Sequence, residues 1–337
     1  MDWTKSYSAE WRVFRVNRRT WADAESVNNI DSISITRTAD GSLIESATVK
    51  VTGELPSDYY RVVMLANQGG DVARVNVATM LFDVKDDESN YGTRLTSLDG
   101  FSVLHPADVA AVTIGEYAPA GIDGAKYAGD LLASAINAPV EIDGSFTLNE
   151  NIVHEVGSSV LECAWDILNS GNFVIQIDGF GTVHVRPMPS EASLIIDSTK
   201  SDILQNEVKH VSDMSDIPNR YVVIDGNIVS VAVNDDPEST VSTVSRGYNV
   251  DLIDTSPKLI NGETYGEYAR RMLKKSSVLR EEQAYTREYA PNVYPYSLVK
   301  SSLNSLSGDI RVKSQSIKCG KGITVSEKAY KEINLWE

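Results

Sequence analysis

Four histidines, His105, His154, His184 and His210, and two cysteines, Cys163 and Cys319, supply every imidazole and thiol in this chain. Imidazole becomes a base, an acid or a metal ligand only beside a nucleophile, a carboxylate or further ligands. His154-Glu155 opens like a zinc-peptidase helix, but Val156, Gly157 and Ser158 follow where HExxH demands a second histidine. Cys163 and His184 are the residue types of a thiolate–imidazole pair. Their settings favour structural roles, because Cys163 falls inside a stretch of helical periodicity and His184 alternates within a strand-like run. The cysteines show neither CxxC nor Cys/His ligand spacing, so reduced thiols and no zinc are expected. GxSxG, the nucleophile elbow of α/β-hydrolases, is absent from the sequence.

Carboxylates are plentiful, so composition alone always permits an Asp/Glu pair suited to glycoside hydrolysis. Asp83, Asp86, Asp87 and Glu88 cluster beside Ser89-Asn90 in what reads as a solvated loop, without the ligand order or central glycine of a calcium loop. Gly179-Phe180-Gly181 and Gly320-Lys321-Gly322 match neither GxxxxGK[ST] nor GxGxxG and read as hairpin turns. Arg270-Arg271 with Lys274-Lys275 reads as the solvated face of an amphipathic helix, with an acidic partner or DNA as the alternative. Tyr285, Tyr289, Tyr294 and Tyr296 crowd around Pro291 and Pro295, a composition suited equally to a core or a subunit interface. No residue is singled out as catalytic, cofactor-binding or metal-ligating, and no cofactor is expected.

The elements that would position these groups are mostly strands. Val13 to Val16, Ile33 to Ile35 and Ala47 to Val51 alternate as half-buried strands do, and Asp40-Gly41 is a hairpin signal. Tyr60 to Leu65 and Val72 to Phe82 bracket Gly69-Gly70, which supply the positive φ of a tight turn. After Pro119-Ala120-Gly121 the period changes. Tyr127, Leu131, Leu132, Ala135 and Ile136 recur at helical spacing, and Ser159 with Glu162 predicts a capped helix that Gly171 ends. Phe173 to Ile177 and Thr182 to Val185 then form a hairpin through Asp178-Gly179. Strands return with Tyr221 to Ile224 and Ile228 to Val233 around Asp225-Gly226-Asn227, before a helix predicted from about Glu263 to Glu282 that includes Leu279 in its apolar stripe. The last strands include Ile310 to Val312 and Ile323 to Val325.

The expected fold class is mainly β with α+β insertions: two antiparallel β-barrel-like domains, an intervening helix-and-hairpin domain and an inserted helical segment. The corresponding boundaries are 1–118, 119–200, 201–250 together with 285–337, and 251–284. With 337 residues, 42% hydrophobic, the chain has material for several cores. No run approaches the roughly 18 to 20 apolar residues of a membrane span, and Met1-Asp2-Trp3-Thr4-Lys5 lacks the order of a secretory signal, so a soluble protein is expected. A formal charge of −16 disfavours non-specific nucleic-acid binding and reads either as solubility or as an acidic lumen along which nucleic acid slides without sticking.

The order of segments resembles the tail hub or baseplate hub family of tailed phages and related contractile injection systems. Three phrases carry the resemblance over about residues 10 to 335. The first is the middle module from Tyr127-Ala128-Gly129-Asp130-Leu131-Leu132 through Leu168-Asn169-Ser170-Gly171 to Val183-His184-Val185-Arg186-Pro187. The second is Pro218-Asn219-Arg220-Tyr221-Val222-Val223-Ile224 with Ile228 to Val233 and Asp235-Asp236-Pro237, and the third is Tyr268-Ala269-Arg270-Arg271-Met272-Leu273.

The resemblance implies a structural, non-catalytic homotrimer in which two barrels per chain form a pseudo-sixfold ring around a central channel. Implied partners are the tail tube or distal tail ring protein, a spike or tip protein, the tape-measure protein and tail fibres. The implied location is the virion's tail tip or baseplate, after assembly in the host cytoplasm. Some members add a cell-wall hydrolase or fused spike. Because Glu337 comes soon after the second barrel is expected to close, lytic or puncturing activity is expected in a separate partner. Val293-Tyr294-Pro295-Tyr296 departs from the pattern in lacking a Gly-Asp before the late strand. A tail-associated hydrolase using an Asp/Glu pair and a carbohydrate-binding tail adhesin are the alternative functions.

Overall fold

The computed structural model describes residues 1–90, 93–197, 209–211, 214–257, 259, 263–303, 306–320 and 322–336, with backbone alone at 84–90, 93–95, 209–211, 303, 306 and 307. Two compact units divide the chain: residues 1–208 with 284–329, and residues 209–283 with 330–337.

The chain opens with seven strands: β1 (Ser8–Val16), β2 (Asp23–Val27), β3 (Ile30–Thr38), β4 (Glu45–Thr52), β5 (Asp58–Gln68), β6 (Asp71–Asn90) and β7 (Thr93–Phe101). A helical module follows, with α1 (His105–Val109), β8 (Glu116–Ala118), α2 (Gly124–Ala135), β9 (Val140–Ile142), β10 (Ile152–His154), α3 (Val160–Ser170), β11 (Phe173–Ile177), β12 (Val183–Pro187) and β13 (Ala192–Ile196). Next come β14 (Lys209–Val211), β15 (Arg220–Asp225), β16 (Ile228–Val233), α4 (Thr243–Arg246), β17 (Asp251–Asp254) and α5 (Tyr265–Ser276). The final strands are β18 (Val278–Glu288), β19 (Leu298–Leu303), β20 (Leu306–Cys319) and β21 (Ile323–Asn334).

The main sheet of the first unit runs in the order β18-β21-β20-β3-β4-β7-β6-β5-β1-β2, with β19 also on β20 and β13 parallel to β19. Early and late strands therefore belong to one sheet, joined where β3 pairs antiparallel with β20, Ile35 opposite Ile317. The fold is mainly β, as expected, and no closed barrel is formed among the described residues. Residues 83–90, read from sequence as a loop, instead continue β6 opposite β7. The side chains of Asp86, Asp87 and Glu88 lie outside the described residues.

Strand alternation explains how one strand serves two cores. On β5, Tyr60, Val62, Met64 and Ala66 point into a core with Val49, Val51, Met80 and Phe82. Tyr59 points the other way, into a second core built from α2, α3, β11 and β12, where Ala128 and Leu132 meet Leu161, Ala164 and Leu168. This two-sided burial makes Asp58 to Met64 one continuous buried run, unlike the alternating pattern of the neighbouring β4. Both long helices of the module are capped, α3 by the Ser159 that the sequence announces and α2 by Asp123, which sequence reading did not single out. Ser159 Oγ accepts from Glu162 N at 3.0 Å, and Asp123 Oδ1 accepts from Ala125 N and Lys126 N.

The β11–β12 hairpin delivers its tip onto a bulge in β6, where Val63 faces Asn76 and Val77 is the extra residue. Contact is too close for a side chain: a Cβ on Gly179 would lie 1.8 Å from the Asn76 carbonyl oxygen. Gly181 adopts φ +84° against Thr79. Thr79 Oγ1 donates to Gly179 O at 3.1 Å and Trp21 Nε1 to Phe180 O at 2.9 Å. Buried Arg61 gathers the joint, donating from Nε to Thr79 Oγ1, from Nη1 to Asp23, and from Nη2 to the carbonyls of Trp21 and Phe180, with its guanidinium 3.9 Å from the Phe180 ring centroid.

Two further ion pairs are fully buried. Glu327 receives three donors, Arg287 Nε at 2.9 Å, Arg287 Nη2 at 2.6 Å and Gln315 Nε2 at 2.6 Å. Burial raises its pKa, but Arg287 and these hydrogen bonds outweigh that, and the carboxyl lies below its usual range. Among the described residues Glu45 receives only Arg37 Nε, at 2.5 Å, and its Oε2 has no hydrogen-bond partner. Burial wins there, and its pKa is raised.

In the second unit, β16-β15-β17 forms a small sheet with α5 on one face, where Tyr221, Val223 and Ala232 meet Tyr268, Ala269 and Leu273. Thr264 and Glu267 make a reciprocal capping box at the start of α5. The helix stops at Ser276, short of the Glu282 expected from sequence. From β-branched Val278 onward the period becomes two, and Leu279 packs in strand β18 with Ile217 and Val241. Residues 251–284 therefore begin with a strand and end within one. The short helix α4, capped by Ser242 and closed by Gly247 at φ +73°, was not apparent from periodicity.

Gly179→Ala is expected to destabilise the protein by about 3 kcal/mol, because Asn76 backbone must move. Gly226→Ala, at φ +56° with open space around it, is expected to cost about 1 kcal/mol. Urea unfolding of both variants checks the order. Glu327→Gln is expected to cost on the order of 3 kcal/mol at neutral pH. Since a depressed carboxyl stabilises above its ordinary pKa and loses that contribution on acidification, this penalty shrinks as pH falls. For Glu45→Gln the slope reverses. A raised carboxyl loses stability as pH rises, so that variant's penalty shrinks towards alkaline pH, and parallel slopes would contradict the assignment.

Candidate functional site

The strongest gathering of polar groups is a cleft of about 620 Å³ in the first unit, lined by residues including His184, Asp178, Asp143, Arg186, Gln176 and Tyr294. Alternation on β12 puts His184 and Arg186 on the same side of the strand, away from Val183 and Val185 in the core. Parallel pairing brings β9 alongside, His184 opposite Glu141. His184 Nε2 lies 3.4 Å from Asp178 Oδ2, while Nδ1 lies 3.5 Å from Glu141 and 3.7 Å from Asp143. Arg186 Nη2 meets Asp143 at 3.1 Å, and Gln176 Nε2 donates to Pro295 O at 2.7 Å.

The hydrogen bond to Asp178, then the charges of Asp178, Glu141 and Asp143, raise the His184 pKa against a smaller opposing effect of burial. The arrangement favours imidazolium, a poor general base. It is also short of a metal centre: among the described residues no group of three or more His, Cys, Asp or Glu side chains has the geometry to hold an ion. Cys163, the sequence's hypothetical partner for His184, is instead completely buried on α3 among Leu161, Ala164 and Leu168. Burial, then the charges of Glu116, Glu162 and Asp166, push its thiol up to about 11, the wrong direction for a nucleophile.

The other sequence candidates have local roles. His154 Nε2 lies 3.0 Å from Asp166, tying β10 to α3, and His105 stacks on Phe101 at 4.5 Å. The side chain of His210 and residue Lys321 lie outside the described residues. Arg271 is held by Glu263 through two bonds of 2.8 and 2.9 Å, and Lys274 lies over the Trp336 ring, leaving Arg270 and Lys275 on the solvated face of α5. Tyr285 and Tyr289 are core residues. Tyr294 and Tyr296 are half-buried, and Tyr296 donates its hydroxyl to Ala39 O at 2.7 Å.

A second cleft, of about 510 Å³, sets Trp165 and Tyr296 beside Asp40, Asp108, Glu162 and Asp166. Neither cleft was legible as a site in the sequence, since each collects residues separated by more than a hundred positions. The available signal was the same-side spacing of His184 and Arg186.

Because the His184 pKa is raised on folding, its stabilising contribution is complete below the ordinary histidine pKa and is lost as pH rises through the folded value. His184→Gln is therefore expected to show its largest stability deficit in mild acid and the smallest in alkali, measured by urea unfolding across pH. A pH-independent deficit would count against the charged cluster.

No family model and no curated protein matches the sequence. Solved structures do match. A tail protein from Neisseria meningitidis MC58 is similar over 98% of both chains, with a TM-score of 0.66 and 14% identity. A 43 kDa tail protein of prophage MuSo2 from Shewanella oneidensis is similar over 98% of this chain and 100% of its own, with a TM-score of 0.66 and 13% identity. A chain of the Francisella PdpA-VgrG complex is similar over 97% of this chain and 53% of its own, with a TM-score of 0.56 and 8% identity. The chain has the fold of phage and prophage tail proteins.

Proposed function

We propose that the protein is a structural, non-catalytic hub of a phage-type tail or baseplate, assembling as a homotrimer whose two β-rich portions create a pseudo-sixfold ring around a channel. The observation that carries this reading is the similarity in fold to tail proteins over essentially the whole of both chains. In this reading residues 1–118 and 201–250 with 285–337 correspond to the two barrel-like hub domains. Residues 119–200 form the helix-and-hairpin domain between them, and 251–284 form the insertion. The side-chain chemistry is consistent with it, since the cleft residue His184 is engaged by carboxylates and Cys163 is a high-pKa thiol in the core. Similarity to a chain of a complex containing VgrG supports a spike or tip protein as one neighbour. A tail tube or distal ring protein is the other proposed neighbour, with tape-measure protein and fibres attached to the same assembly at the virion's tail tip. Symmetric closure buries large complementary surfaces without requiring an active site.

Light scattering across a range of concentrations is expected to give a trimer, or a monomer moving towards one as concentration rises. A strict monomer that also fails to join tail-tube and spike proteins on co-expression would overturn the hub assignment.

A further inference from the structure

The small sheet of the second unit has one covered face and one open face. Alternation sends Tyr221, Val223 and Ala232 onto α5 and leaves the opposite residues outward. Across the three strands the register sets Val222 between Val231 and Ile253, and Ile224 beside Val229. Val229 is 62% exposed, Val231 44% and Ile253 60%. The charged residues of this face are Arg220 and Asp251, paired with each other at 3.3 Å.

The two edges of this sheet differ. β17 is four residues long and carries Asp251 and Asp254 at its ends, the kind of charge that protects an edge from further pairing. β16 is Ile228-Val229-Ser230-Val231-Ala232-Val233, with no charge, proline, glycine or bulge, and among the described residues it pairs with β15 alone. An unprotected edge and an apolar outer face on one strand make a template for strand addition, in which backbone bonds extend the sheet and alternate side chains of the incoming strand cover Val229 and Val231.

We propose that the free edge of β16 receives an extended segment of another protein, apolar or β-branched at alternate positions and flanked by lysine or arginine. Charge selects this occupant. Asp225 stands at the turn before β16, and exposed Asp235 and Glu238 follow it. A second copy pairing antiparallel through the same strand would bring the aspartate of one copy against the acidic loop of the other at both ends, on chains each carrying −16. A strand with basic flanks meets carboxylates at both ends instead.

The test uses the full chain and a fluorescein-labelled peptide of alternating valine and threonine with lysines at both ends, compared by anisotropy with its glutamate-flanked counterpart. Saturable binding of the lysine-flanked peptide, weakened by salt and by about tenfold in V229K/V231K, is expected. Both substituted side chains are exposed, and an unchanged unfolding midpoint verifies the fold. D235N/E238Q is expected to bring the affinities of the two peptides together. Absent saturable binding, or equal binding of both peptides by the unmodified chain, overturns the proposal. So does a concentration-dependent rise in the mass of the chain that V229K/V231K abolishes, which would assign the edge to a second copy.

Discussion

A guanidinium taken into an apolar interior needs partners for its donors, and Arg61 finds them on three separate pieces of chain. Thr79 lies on β6, Asp23 starts β2, Trp21 precedes it, and Phe180 is the tip of a hairpin from the helical module. The hairpin tip can reach Arg61 because Gly179 has no side chain and the β6 bulge re-aims the Asn76 carbonyl. Without that approach the outward face of β5 would be a charged surface beside Tyr59. With it, β5 becomes an interior strand and the sheet and module share a boundary.

Arg37 and Arg287 show the same use of arginine with different completeness. Glu327 is saturated by donors and held ionised, whereas Glu45 has one donor and a pKa raised by burial. A buried polar network is costly when mispaired, so each arginine favours a single register. Arg37 on β3 donates to the Val77 carbonyl at the bulge of β6, a contact available in one alignment of those strands. Arg287 ties β18 to β21 while Gln315 of β20 completes the group. The polar interior thus specifies alignment, and the aliphatic cores supply the burial.

Much of the architecture was legible because it rests on local rules. The capped helix at Ser159, the Gly69-Gly70 turn, the Asp225-Gly226-Asn227 hairpin and the mainly-β texture all follow from short-range chemistry. What escaped sequence reasoning was non-local. The carboxylate-rich run at 83–90 looks like a loop by composition, yet its backbone is carried into a strand by pairing with β7. Leu279 suits the apolar stripe of a helix as well as it suits a strand, and tertiary packing decides for β18. The His184 cleft depends on parallel pairing between β9 and β12, which no local spacing encodes.

The pairing of β3 with β20 has a consequence for how the protein is made. During synthesis β3 emerges near the start of the chain, while the strand that completes its edge comes almost last. Until then the early strands present Ile33 and Ile35 beside unpaired backbone groups, and closing so long a loop is slow. An N-terminal fragment that lacks β20 would therefore expose the β3 edge to pairing with other chains.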